Sequence, residues 1–175
     1  MPLIKTVSPE EATGKTAEIF STIKGVMGKV PNPMQLYAVS PAIFEGTFNV
    51  MGYFMNHPTL NMGFLTFVRM LVSVGTNCTY CIDMNKGRLI QSGIGIDVLN
   101  ETIKDPRKAP LPEKEKALLL FVLKAVKNPH SVVGSDVDEL RGLGWSERDI
   151  FDALVHGANM VAADILIDTF KVEQD

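Results

Sequence analysis

The chain has 175 residues, 46% hydrophobic and 21% charged, a length that suits one domain with a sizeable core and a composition too apolar for intrinsic disorder. Its 17 basic and 20 acidic residues leave a net charge of −3, which supplies no basic face for nucleic acid. Two cysteines are too few for a secreted disulfide scaffold, the N-terminus lacks a signal-peptide profile and no apolar run approaches the ~18 residues of a membrane span, so the expectation is a cytoplasmic protein with neither a membrane nor a nucleic-acid partner.

Helix punctuation recurs along the whole chain. Ser8-Pro9-Glu10-Glu11 reads as a capping box, followed by Ala12, Ile19, Phe20, Ile23 and Met27 near helical spacing, which predicts a helix over 9–24. Val30-Pro31-Asn32-Pro33 breaks the chain. Ser40-Pro41 opens a second helix to about Asn56, His57-Pro58 stops it, and a third runs from about Thr59 to Val74. Further helices are expected over 78–90, 97–103, 113–127 and 135–142, and a last one runs from the cap at Ser146 to about Phe170. No period-two alternation or hairpin signal is found. The fold class is all-α, a multi-helix bundle.

From Gly46 through Ile82, Arg69 is the only charged side chain. Helices that poor in charge belong in the core or at a subunit interface, so the stretch is expected to be buried and partly in contact with other subunits. Arg69 is also a candidate charge partner for the thiols that follow it.

Cys78-Thr79-Tyr80-Cys81 stands at a predicted helix start. Residues three apart share a helix face, so the two sulfurs can meet. With Asn77 or Thr76 as the cap, Cys78 falls in the first turn, where free N–H groups and the helix dipole favour a thiolate. A thiolate attacks peroxides and disulfides, and its neighbour then closes an intramolecular disulfide. Two other readings compete: a pair of incidental buried cysteines, and half of a zinc site. Structural zinc needs four ligands, and His57, His130 and His156 offer no paired spacing. The expectation is a redox dithiol with no metal and no bound cofactor.

These residues resemble the carboxymuconolactone decarboxylase superfamily, in particular its alkyl hydroperoxidase D-like, peroxidase-related branch. Gly28-Lys29-Val30-Pro31-Asn32 resembles the family's Gly-x-Val-Pro-Asn turn, Ser40-Pro41 with its apolar helix the next element, Ser73 to Cys81 the core signature, and Ser146 to Phe170 the terminal helix. The resemblance covers most of the chain. It implies one domain over 1–175 with 1–56 as an N-terminal helical extension, homo-oligomers such as trimers or hexamers, and thiol peroxidase or disulfide reductase activity coupled to a reducing partner. It also implies Cys81 as the attacking sulfur and Cys78 as the resolving one, whereas the dipole argument points to Cys78.

The sequence departs from the family at two positions. The family places a glutamate twelve residues before the first cysteine and a histidine four after the second; here Thr66 and Asn85 stand there. Asparagine hydrogen-bonds but cannot titrate, so the usual proton relay is absent. Without it, the attacking thiol is expected near its free value, roughly 7.5–8.5. His156, in the apolar run of the last helix, and Arg69 are the remote candidates to replace the relay; Tyr80 and Asp83 also lie close in sequence. The alternatives to a dithiol oxidoreductase are a carboxymuconolactone decarboxylase-type lyase and a non-catalytic assembly protein on the same scaffold.

Overall fold

The computed structural model describes residues 1–175. It is all-α: α1 Gly14–Met27, α2 Asn32–Tyr37, α3 Pro41–Met55, α4 Met62–Thr76, α5 Thr79–Gln91, α6 Ile96–Lys104, α7 Glu113–Lys127, α8 Gly134–Gly142 and α9 Glu147–Thr169, with 3-10 turns at Pro106–Lys108 and Pro129–Ser131. The chain forms two compact units, Met1–Asn56 with Leu166–Asp175, and His57–Ile165.

In the first unit, Ile19, Phe20, Ile23, Val30, Ala38 and Phe44 make the core, and the Phe20 and Phe44 rings meet edge to face at 5.3 Å. The N-terminal boundary departs from expectation. The Ser8–Glu11 box does form, with Glu11 N–H donating to Ser8 Oγ and Ser8 N–H to Glu11 Oε2, both at 3.3 Å. It closes only a turn, because Thr13 is extended and Gly14 takes a φ of 54°. A glycine adopts that left-handed conformation without a Cβ clash, so α1 starts five residues later than the box suggests. The proline-rich break conceals α2, since Pro33 stands in its first turn, where no N–H is required. α3 keeps only Phe44 and Phe54 buried and exposes Ile43, Val50, Met51 and Met55. The charge-poor stretch is therefore buried along α4, while α3 leaves an apolar face open.

In the second unit, α4 is the central helix, with nine buried residues from Phe64 to Ser73. The Asn61 side chain caps it by accepting from Phe64 N–H at 2.9 Å. His57 fixes the approach: its Nδ1 accepts from Leu60 N–H at 3.0 Å, and its Nε2 faces Asp152 Oδ2 at 3.0 Å. At the start of α9, Ser146 and Asp149 cap each other reciprocally, Asp149 N–H donating to Ser146 Oγ and Ser146 N–H to Asp149 Oδ2, both at 3.1 Å. By length and composition α9 could cross a membrane, contrary to the expectation of no such run. Its buried stripe nevertheless holds Asp149, Asp152, His156 and Asp164. Carboxylates at a bilayer centre are costly, whereas these are satisfied by the protein around them.

Gly157 lets α9 pack directly against α7. A Cβ there would stand 2.5 Å from Val122 Cγ1, with Val126 and Val68 also close. Gly157→Ala should therefore destabilise the protein by about 1–3 kcal/mol through overpacking, despite alanine's better helix propensity. Urea unfolding of the variant checks this; an increase in stability would show that α7 gives way freely.

Candidate functional site

The site lies inside the second unit, where three helices each contribute a polar stripe to an otherwise apolar core. On α4, Thr66, Arg69, Ser73 and Thr76 follow at spacings of three, four and three, so they share a face. Cys81, Asn85 and Arg88 do the same on α5, with Cys78 immediately before them. α9 supplies His156 and, two turns on, Asp164. Every buried side-chain nitrogen and oxygen has a hydrogen-bond partner.

The thiol end is built by a helix-to-helix junction. Asn77 ends α4 in the left-handed conformation, φ 61°, which asparagine tolerates better than most residues. Cys78 is thereby the N-cap of α5, and Cys81 occupies its first turn. This corrects the expected register: Asn77 closes the preceding helix, and it is Cys81 that sits within the turn whose N–H groups lack intrahelical partners. Both cysteines are free and fully buried.

Asp164 is the residue that sequence reasoning missed. Its carboxylate lies against the two thiols, with one oxygen and both sulfurs all within 4.8 Å of one another. Ser73 Oγ donates to Asp164 Oδ1 at 3.0 Å and Thr76 Oγ1 to Oδ2 at 2.7 Å. Burial raises the carboxyl above the ordinary aspartate value, and the hydroxyl and thiol donors restrain that rise. The Cys81 thiol is pushed up as well, first by its hydrogen bond with Cys78, then by burial and by Asp164. The expectation of a thiol near its free value is therefore corrected. Its partners are a second thiol and an acid, both of which favour the protonated form. The only sequence signal was a lone acid in Met160-Val161-Ala162-Ala163-Asp164-Ile165. Two thiolates and a carboxylate are also donors of the kind that bind a soft divalent ion, one short of a closed tetrahedral set.

The other end gathers the remaining candidates. Arg69 Nε donates to Asn85 Oδ1 at 2.8 Å and Nη2 to Thr66 Oγ1 at 2.8 Å, and Nη1 stands 3.3 Å from His156 Nε2. Asn85 Nδ2 in turn donates to the Cys81 carbonyl at 2.8 Å. The residues at the two altered positions, Thr66 and Asn85, are thus joined by one guanidinium. Arg69 and His156 both bond within this cluster. Burial pushes Arg69 down to about 10, helped by the like charge of Arg88, so it remains a cation at neutral pH. Asp83 is exposed on the far side of α5, and His57 serves the α4 cap.

Burial and then the Arg69 charge push His156 down to about 3, so the imidazole is neutral and unsuited to act as a base at neutral pH. The unfolded chain, with an ordinary histidine near 6.5, binds a proton that the folded chain refuses. Between about pH 6.5 and pH 3 stability should therefore fall as pH falls, by up to about 1.4 kcal/mol per pH unit from this residue. Unfolding free energies of wild type and His156→Gln across that range check this; parallel curves would show that His156 titrates normally.

No family model and no curated protein matches the sequence. Solved structures do match the fold. The chain superposes on a peroxidase-related protein from Ralstonia eutropha, described as an alkylhydroperoxidase AhpD core, with TM-score 0.87 and 20% identity, covering 99% of this chain and 92% of that one. A peroxidase-related protein from Silicibacter sp. gives TM-score 0.81 and 20% identity over 92% of this chain and 85% of that one. The debrominase Bmp8, solved with 2,3,4-tribromopyrrole, gives TM-score 0.76 and 13% identity over 100% of this chain and 94% of that one. At such identities the likeness establishes architecture: the chain has the all-helical alkyl hydroperoxidase D-like fold that its motifs resemble.

Proposed function

We propose that the protein is a dithiol oxidoreductase that reduces a hydroperoxide, with Cys81 attacking, Cys78 resolving and Asp164 carrying the proton. The observation that supports it is the buried trio of two free thiols and one carboxyl, held by Ser73 and Thr76. Asp164 takes the Cys81 proton as the sulfur attacks. An S–O bond forms, the O–O bond breaks, and the leaving alkoxide receives the proton as an alcohol. Cys78 then attacks the sulfenic sulfur, forming the disulfide and releasing water once its own proton has passed to the leaving hydroxide. An external dithiol returns the pair to the reduced state. The first-turn position of Cys81 favours negative charge as it develops on that sulfur. No bound cofactor or metal enters these steps.

Peroxide treatment of wild type should consume two thiols and remove two protons from the single tryptic peptide Met70–Lys86, without intermolecular crosslinks. Cys78→Ser should stop at a trappable sulfenic acid on Cys81. Asp164→Asn removes the acid that opposes ionisation, so its thiolate absorbance should appear at lower pH, yet oxidation near neutrality should slow by about 10²-fold for want of a proton carrier. Faster oxidation in that variant would overturn the role given to Asp164. Inert thiols throughout would favour an assembly protein, and carboxymuconolactone turnover by a variant lacking both cysteines would favour a lyase.

The same reading includes a homo-oligomer, such as a trimer or hexamer, supported by the exposed apolar face of α3. Light scattering should show an assembly that Val50→Asp with Met55→Asp dissociates. A monomeric wild type would refute it.

A further inference from the structure

The chain has five arginines. Arg107, Arg141 and Arg148 are each ion-paired with a carboxylate. Arg69 and Arg88 are not, and these two are neighbours. Arg69 donates to Asn85 on α5, Arg88 lies one turn beyond Asn85 on the same helix face, and the Arg88 charge is close enough to be felt at Arg69. The partners of Arg69 are all neutral: the Thr66 hydroxyl, the Asn85 carbonyl oxygen and the His156 imidazole. Both arginines are half-buried. No carboxylate offsets the desolvation that depresses both, and each feels other groups nearby, Arg88 beside Arg69 and Tyr80 beside Arg88.

Desolvating a cation without a counter-charge is costly, and two together cost more through their repulsion. A protein keeps such a pair where an anion from outside completes it, and guanidinium forks match carboxylate geometry. Cys81 and Arg88 stand seven residues apart on α5, which a rise of 1.5 Å per residue converts to roughly 10 Å. We propose that Arg69 and Arg88 bind the carboxylate of a substrate whose reactive group, roughly 10 Å away, meets Cys81. This rests on the dithiol reading above and narrows it to carboxylate-bearing hydroperoxides. Thr66 and Asn85 then act as positioning residues that hold the Arg69 fork in place.

The test pairs 8-hydroperoxyoctanoate with its methyl ester, which differ in charge at the same reach. Stopped-flow oxidation of the reduced protein should be about 10-fold or more faster with the acid than with the ester. That ratio should fall towards one in Arg88→Met and recover in part in Arg88→Lys. Octanoate alone should bind the Cys78→Ser, Cys81→Ser protein by calorimetry, and added octanoate should raise the melting temperature of wild type. Equal rates for acid and ester with no octanoate binding would overturn this inference while leaving the dithiol reading intact. Octanoate binding without oxidation by either hydroperoxide would support the anion site and defeat the peroxidase reading. Loss of assembly in Arg69→Met and Arg88→Met, in a wild type indifferent to octanoate, would assign the missing carboxylate to a neighbouring subunit and overturn it as well.

Discussion

The hydrogen bonds from Ser73 and Thr76 to Asp164 fix how the site is assembled. They join the last turn of α4 to α9 across a buried space, and α4 ends immediately after them. Because Asn77 turns the chain back in the left-handed conformation, Cys78 and Cys81 are delivered to the same carboxyl. A buried carboxyl without donors would cost several kcal/mol. The two hydroxyls offset that cost and also aim the remaining lone pairs at the sulfurs. The position of the acid, the cap geometry and the thiol pair are therefore one constraint.

A continuous polar seam through a helical core needs each member satisfied, since a half-satisfied network is worse than an apolar one. Here the condition is met by two devices. At the thiol end burial favours the protonated forms of Cys81 and Asp164, and the Ser73 and Thr76 hydroxyls satisfy the carboxyl. At the other end the charge on Arg69 is retained and surrounded by neutral acceptors, with His156 held neutral beside it. Asn85 connects the two ends, accepting from Arg69 and donating to the Cys81 carbonyl. The seam is thus polarised along α5, with the two sulfurs at its start and positive charge two turns later.

Much of this was legible in the sequence where a residue breaks a local pattern. The Cys-x-x-Cys spacing, the single arginine in a long charge-poor stretch, the histidine in an apolar helix and the asparagine at an altered family position all stood out, and Arg69, His156 and Asn85 do converge. Asp164 did not stand out, because an isolated acid in a long helix is usually a solvated one; its role depends on the angle at which α9 crosses α4, which no local pattern encodes. The cap register failed for a related reason. Asn77 is equally suited to open a helix or to close one, and only the direction of the next helix decides between them. At the N-terminus, Gly14 overrode a capping box that was itself read correctly.

The altered positions take on a different meaning once Arg69 is placed. In the family pattern a glutamate and a histidine pass a proton towards the second cysteine. Thr66 and Asn85 cannot do so, and a guanidinium now occupies the space between them as donor to both. A glutamate introduced at position 66 would meet Arg69 first and pair with it, leaving a histidine at position 85 without its orienting carboxylate. Rebuilding the relay would therefore require Arg69 to be removed along with the other two changes. The substitutions and the arginine belong together: where the family pattern has its relay, the Arg69 guanidinium holds fixed positive charge between Thr66 and Asn85, and the proposed mechanism accordingly gives the proton to Asp164, which lies against the two thiols.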